Sequence, residues 1–483
     1  MRRSPTTPLV LTLLLGASLA VVPMAGCSSE DPDGTRGLMR RKHVLVTLID
    51  ACATDHLDLY GYDRATMPFL SHLAQDSIVF EDVTAPAPYT IASVASLMTG
   101  EAVDVHGVTE AGLRVSDDVD MLAERFARIG YRTSGLSANA HVQQGFGFAR
   151  GFESFNGFWP DISEVHQVPP DQLTRARQVL AAAAEDSRGL FAYWHFLPPH
   201  APYDPPDRDR RTFAAELAGH PLDEAGSLEN LMPLSHGSRQ PGEAERQAIE
   251  DLYDASLRHV DRQLEAIHRE LEATGLLDDT LWIVISDHGE AFGQHGVWQH
   301  ARTVHEEMVR VPLVMHLPKD MRERFPAGVR TEPIALTDLV PTLIELFDLR
   351  GDAPWSSTSL VPLLEADGVL ADRPPIVTRT AGPAEHVAIR EGDLKLIHRT
   401  AGLDEAGERK GPGTWELYDL STDPGETRRL RHMDPAHVED FRHLRAELRA
   451  FREAAAARAS ETTEVEIDAA TEQHLQDIGY FEE

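Results

Sequence analysis

Apolar positions fall into short, nearly continuous runs that end in polar residues, separated by longer stretches of helical period. His43 to Ile49 (HVLVTLI), Leu190 to Phe196 and Leu281 to Ser286 (LWIVIS) are rich in β-branched and aromatic residues. They lack the alternation of a half-solvated strand, as expected of central strands covered on both faces. Val119 to Ile129, Asp171 to Ala184, Ala244 to Ala273 and Leu339 to Phe347 have helical spacing. Tyr131 to Leu136, Val311 to His316 and Ile334 to Leu336 read as further short strands. Alternation of this kind predicts an α/β fold with a mostly parallel sheet between helices.

The texture changes beyond about Ala353. His386 to Ile397 and Trp415 to Tyr418 read as antiparallel strands, and Pro435 to Ala457 as an amphipathic helix. The tail is polar, with a final Ile-Gly-Tyr-Phe patch. A smaller α+β subdomain over residues 353–483 is expected after a catalytic domain over 42–352. Asp207 to about Gly242 has Gly and Pro and no convincing period, which predicts an irregular lid or specificity loop.

Three strands run into candidate chemistry. His43–Ile49 ends in Asp50, Leu281–Ser286 ends in Asp287 and His288, and Leu190–Phe196 leads to a Pro-rich turn displaying His200. Ligands in open α/β sheets bind beyond the carboxyl ends of strands. Another run, Ser77 to Val83, ends in Ala-Pro-Ala-Pro, and Thr90 follows just before a small-residue helix, Ile91 to Met98. A hydroxyl at a helix N-terminus suits an anionic ester, although Thr there is also an ordinary N-cap and an Asp after a strand often caps a helix. Three buried strands leading into Asp or His call for a shared reason. Asp50, Thr90, Asp287 and His288 offer O and N ligands for a divalent ion, with Zn²⁺ or Mn²⁺ favoured over Ca²⁺. An ion touching Thr90 would favour its alkoxide as a nucleophile. His200, His295 and His300 are candidates for a second ion, for substrate oxygens or for the leaving-group proton.

The 483 residues carry a net charge of −33 and 42% hydrophobic residues. A sizeable core is available, and the acidity argues against nucleic acid as a partner. Arg2 and Arg3 precede an apolar run, Leu9 to Val22, followed by Met-Ala-Gly-Cys27. That layout is a secretory signal, too short for a membrane span. Small residues before Cys27 resemble a bacterial lipobox. The expectation is a signal peptide over 1–26, lipidated Cys27, a tether over 27–41, and a location in the bacterial cell envelope, anchored in the outer membrane or facing the periplasm. A Cys27–Cys52 disulfide is the lesser reading.

TLIDACATDHLDLYGYDRATMPFLSHLA, TIASVASLMTG, HFLPPHAPYDPP, ISDHGEAFGQHGVWQH with HEEMVRVPLVMHLP, GFGFARGFESF and WELYDLSTDPGETRRL occur in that order. Together they resemble the sulfatase family of the alkaline phosphatase superfamily, from His43 to at least Leu430. The resemblance implies a metal-dependent ester hydrolase. Asp50, Thr90, Asp287 and His288 become the metal set, with Thr90 as nucleophile. His200 and His300 fall on substrate or second-metal positions, and His106 matches a histidine near the nucleophile.

The departures shift the chemistry. Sulfatases place a Cys or Ser, matured to formylglycine, in a Cys-x-Pro-Ser-Arg block. Here Thr90-Ile91-Ala92-Ser93-Val94 occupies it, and Ala51 stands where many members carry a second Asp. No formylglycine is expected. A formylglycine hydrate expels sulfate through its second hydroxyl, which Thr lacks. A phospho-Thr intermediate, by contrast, can be attacked at phosphorus. The expected substrate is a small phosphate or phosphonate ester. The alternatives are a sulfatase working without formylglycine and a binding protein without turnover.

Overall fold

An eight-stranded sheet carries the site, in the spatial order Gly328–Arg330, Ile78–Phe80, Leu313–His316, Thr280–Ser286, His43–Ile49, Leu190–Phe196, Arg132–Ser137 and Ser154–Gly157. The computed structural model describes residues 37–480 except 111, 158–169, 352–353, 355, 371–372, 383–384, 402–410, 412 and 432. The expected signal segment, Cys27 and the first part of the tether lie outside the described residues. At the other end of that tether the chain is already docked. Gly37 and Met39 donate to the carbonyls of Glu345 and Leu346, and Met39 is fully buried.

His43–Ile49 pairs in parallel with both neighbours, and Ile49 lies level with Phe196 and Ser286. Asp50, Leu197 and Asp287 therefore leave the sheet at one common edge. Leu313–His316 runs antiparallel to both of its neighbours. The near-continuous apolar character of the central strands has a plain cause. Val44, Val46 and Leu48 join one core cluster with the helix Thr90–Thr99, whereas Leu45 and Ile49 join another with the long helix Glu243–Thr274. Both faces are covered, so neither parity of position is left polar.

Asp207 to Gly242 differs from the irregular loop expected. It contains the helices Asp207–Phe213 and Leu228–Ser235. Acidic Asp207 and Asp209 occupy the first turn, where the helix dipole favours them. The fully buried Asp209 accepts from Arg262 and pairs with His259 at 3.2 Å, which ties the segment to the long helix.

In the C-terminal part, Ile376–Arg379, His386–Glu391, Leu394–Arg399 and Thr414–Asp419 form an antiparallel sheet. The helix Val438–Ala456 covers it with Phe441, Leu444 and Leu448. Buried Lys395 of this sheet reaches Glu306 at 2.6 Å and Glu426 at 3.0 Å, a link to the catalytic part. Beyond the helix, Thr463–Glu464 pairs with Leu113–Arg114, and the helix Ala469–Asp477 sets Leu475 and Ile478 against Ala138, Ala140 and Leu197. Among the described residues, no helix is long and apolar enough to cross a membrane.

Candidate active site

Thr90 is the first residue of its helix rather than the residue that caps it; Tyr89 holds the cap position in extended conformation. The ordinary N-cap role is thereby excluded for Thr90. Every residue of the helix Thr90–Thr99 is buried. Its small residues let it approach the sheet edge, where Ser93 Oγ donates to the Asp287 carbonyl at 2.7 Å.

Four side chains meet there. Thr90 Oγ1 lies 3.4 Å from Asp50 Oδ1 and 3.2 Å from His288 Nε2. His288 Nε2 lies 3.5 Å from Asp50 Oδ1 and 3.6 Å from Asp287 Oδ2. All four residues are fully buried. His288 Nδ1–H donates to the Gly289 carbonyl at 2.9 Å, which turns the Nε2 lone pair toward the carboxylates. Gly289 is also required sterically, since a Cβ there would meet the Glu307 carbonyl oxygen at 2.2 Å.

The donor set fits a divalent cation. Ligand atoms of Asp50, Asp287 and His288 lie within 4.8 Å of one another, and Asp287 Oδ2 is buried without a hydrogen-bond partner. The electrostatics agree. Burial and the charge of Asp50 push the Asp287 carboxyl up to about 6. Burial would raise Asp50 too, but His200 and the His195 hydrogen bond outweigh it and hold that group below the usual carboxylate range. Burial would lower His288, yet Asp287 and Asp50 raise it. A proton and a cation thus compete for one lone pair.

The expected outer histidines are also present. His200 is 2% exposed, and its ring centroid lies 4.7 Å from that of His300, which is 4.5 Å from that of His288. Burial lowers His200 to about 4. His300 Nδ1 donates to Glu290 Oε1 at 3.2 Å.

Two other candidates do not join this group. His106 Nε2 donates to Ser96 Oγ at 2.8 Å and its Nδ1 accepts from the Val108 N–H at 3.1 Å, so neither nitrogen is left to ligate or to touch substrate. His295 donates from Nδ1 to Glu307 Oε1 at 2.9 Å and from Nε2 to the Glu426 carbonyl at 3.1 Å, so both of its nitrogens are engaged. It groups with His305 and Glu307, apart from Asp50, Asp287 and His288.

Other contributors escaped the sequence reading. Asn139 Nδ2 donates to Asp50 Oδ2 at 2.6 Å, and His195 Nε2 lies 3.0 Å from the same oxygen. These contacts leave Oδ1 to face Thr90. Asn139 follows the strand Arg132–Ser137 less directly than Asp50 follows its own, a weaker signal in the sequence. Tyr480 places its hydroxyl 2.9 Å from Thr90 Oγ1 and 3.1 Å from His200 Nε2. Where the sulfatase block has Arg, the fully buried Val94 packs into apolar core.

The sequence profile of the family described as Sulfatase matches residues 42–349. The chain belongs to the sulfatase family. A second profile, N-sulphoglucosamine sulphohydrolase, C-terminal, matches residues 293–454. Among characterised relatives, an N-acetylglucosamine-6-O-sulfatase of Bacteroides thetaiotaomicron is 23% identical over 86% of each chain. Among solved structures, a phosphonate monoester hydrolase of Agrobacterium radiobacter superposes with a TM-score of 0.68 at 22% identity, covering 86% of this chain and 96% of that one. A phosphonate monoester hydrolase of Silicibacter pomeroyi gives 0.66 at 19%, covering 86% and 96%. The fold and the sulfatase-family hydrolase activity expected from the sequence hold. The sheet is mostly parallel, and the C-terminal part carries a separate antiparallel sheet.

Proposed function

We propose that this sulfatase-family hydrolase cleaves small phosphate or phosphonate esters, with Thr90 Oγ1 as the nucleophile and water as the second acceptor. The observation that carries the reading is a single buried hydroxyl at the head of its helix, facing Asp50 and His288 at 3.4 and 3.2 Å. With one hydroxyl, the esterified Thr90 has no second oxygen through which to expel the anion, so water must attack the central atom. That requirement suits a phosphoryl or phosphonyl group better than a sulfuryl group.

Asp50, Asp287 and His288 would hold the divalent cation, Zn²⁺ or Mn²⁺ by their mixed O and N donors, with Ca²⁺ less suited. When bound, it supplies positive charge that favours the Thr90 alkoxide and offsets charge on the transferred group. Asn139 and His195 orient Asp50, and Gly289 fixes the His288 tautomer. With Nδ1–H given to the Ala201 carbonyl and to Glu290, His200 and His300 each offer Nε2 as an acceptor, suited to the water that attacks the Thr90 ester. A sulfate ester remains the second reading, favoured by the N-acetylglucosamine-6-O-sulfatase relative. On residues 2–27 of the sequence alone, we further propose lipid anchoring at Cys27 in a bacterial cell envelope, which Cys27→Ala would release from the membrane fraction.

The deciding experiment compares aryl phosphate, phosphodiester, phosphonate and sulfate esters on metal-loaded protein. Phosphate- or phosphonate-ester turnover is expected, falling by about 10³-fold or more in Thr90→Ala. Turnover of sulfate esters alone, or an active Thr90→Ala, would overturn the reading.

A further inference from the structure

The Ile-Gly-Tyr patch near the end of the sequence is built into the active site. The helix Ala469–Asp477 starts with Asp468, whose side chain accepts from the Thr471 N–H. It ends in a double turn: Gly479 N–H donates to the Gln476 carbonyl and Tyr480 N–H to the Leu475 carbonyl at 2.8 Å. This is the Schellman arrangement, with Gly479 left-handed at φ 89°. The left-handed backbone at Gly479 calls for glycine, and a Cβ there would press on Leu228 Cδ2 at 3.1 Å. Leu475 and Ile478 anchor the helix on Ala138, Ala140 and Leu197, while Gln143 Nε2 donates to Thr471 Oγ1 at 3.2 Å. The chain is thereby fixed where it aims Tyr480 at Thr90.

The ring packs edge-on against His141 at 4.1 Å and is stacked with His200 at 5.4 Å. A ring serving only as a wall would need no hydroxyl, and a buried hydroxyl is costly unless bonded. This one is bonded twice, to groups that matter. His200 Nδ1–H donates to the Ala201 carbonyl at 2.7 Å, which leaves Nε2 as an acceptor for the Tyr480 O–H. The same phenol oxygen is 2.9 Å from Thr90 Oγ1. A phenol is protonated near neutral pH, so the hydroxyl is available as a donor. On the outer side lies an open cleft of ≈ 540 Å³ lined by Tyr480 with Met232, Ser235, Gln299, His300 and Arg302. Tyr480 thus stands between the nucleophile and the space available to the rest of an ester.

We propose that Tyr480 is a substrate-contacting residue of this active site, its hydroxyl turning from His200 to donate a hydrogen bond to an oxygen of the tetrahedral anion that Thr90 attacks. No bond to Tyr480 forms and its proton stays in place. The segment Ala469–Tyr480 is then a specificity element: the reacting anion sits inside the ring, and the leaving group occupies the cleft beyond it. This inference rests on the Thr90 ester-hydrolase reading.

The test compares wild type, Tyr480→Phe, Gly479→Val and Thr90→Ala as full-length, metal-loaded proteins. Tyr480→Phe keeps the ring and should keep the melting temperature. It is expected to lower kcat/KM by about tenfold to a hundredfold, chiefly in kcat, as loss of a transition-state donor does. It should weaken orthovanadate binding, read by calorimetry, by a similar factor. Gly479→Val, which misdirects the ring, should reproduce both losses. Tyr480→Phe within twofold of wild type in turnover and orthovanadate binding would overturn the proposal, as would a faster enzyme, which would make the hydroxyl an obstruction. An active Thr90→Ala would instead sink the nucleophile assignment. If no ester is turned over, the orthovanadate comparison still judges Tyr480.

Discussion

Replacing His106 with leucine separates a structural histidine from a functional one. The ring is fully buried, accepts the Val108 N–H at 3.1 Å and donates to Ser96 Oγ at 2.8 Å. Leucine has similar bulk but strands both partners, and each unpaired buried group costs about 1–3 kcal/mol. His106→Leu should therefore lose about 2–5 kcal/mol at pH 8. The pH dependence gives a second, independent mark. Burial pushes the imidazole down to about 3, and a proton on Nδ1 would face the Val108 N–H. The folded value lies below the unfolded one of about 6.5, so the unfolded chain binds the proton first. Stability is then complete above pH 6.5 and falls with acidification toward pH 3, the His106 share reaching about 2 kcal/mol by pH 5. Other buried histidines, including His141 and His316, shift the same way, so the wild-type curve alone does not isolate this share. The difference between wild type and His106→Leu does. Urea denaturation at both pH values should show the gap narrowing by about 2 kcal/mol between pH 8 and pH 5. Metal affinity and KM at pH 8 should stay within about threefold, since neither ring nitrogen faces the site. Intact stability with lost metal binding or turnover would refute the assignment, and so would a gap that does not change with pH.

Chelation should lower the apparent stability by about 3 kcal/mol relative to protein held at a hundredfold excess of metal over Kd. Asp287→Asn, which removes a carboxylate facing Asp50 and His288, should shrink that difference in calorimetric melts; an unchanged difference would place the cation elsewhere. Lys395→Met strands Glu306 and Glu426 in the interior and should cost about 3–5 kcal/mol in denaturant titrations, whereas a neutral effect would show the pair relaxing to solvent.

What the sequence disclosed follows from how each residue is held. Asp50, Asp287 and His288 were legible because they directly follow strands buried on both faces, and such strands advertise themselves as unbroken apolar runs. Arg132–Ser137 occupies the same sheet, and Tyr131 to Leu136 was legible as a strand despite Ser134 and Gly135. Its glycine answers a close approach, since a Cβ there would meet Phe155 Cδ2 at 2.3 Å. Asn139 was missed because it does not directly follow the strand's last residue, Ser137, as Asp50 follows Ile49, although it leaves the sheet near the same edge. His106 misled in the opposite sense. It matches a family histidine near the nucleophile, but its ring turns to Ser96 and Val108, and a matching position does not decide where a ring points. Tyr480 joins both lessons. Its local motif, a polar helix closed by Ile-Gly-Tyr, is a readable Schellman signal, yet Thr90 lies 390 positions away. No periodicity reports a partner at that distance. The contact exists because Thr463–Glu464 adds to Leu113–Arg114 and the last helix docks on the loop after Arg132–Ser137. The strand Arg132–Ser137 thus supports both Asn139 beneath Asp50 and the surface that carries Tyr480, so disturbing that strand should reach the nucleophile from two sides.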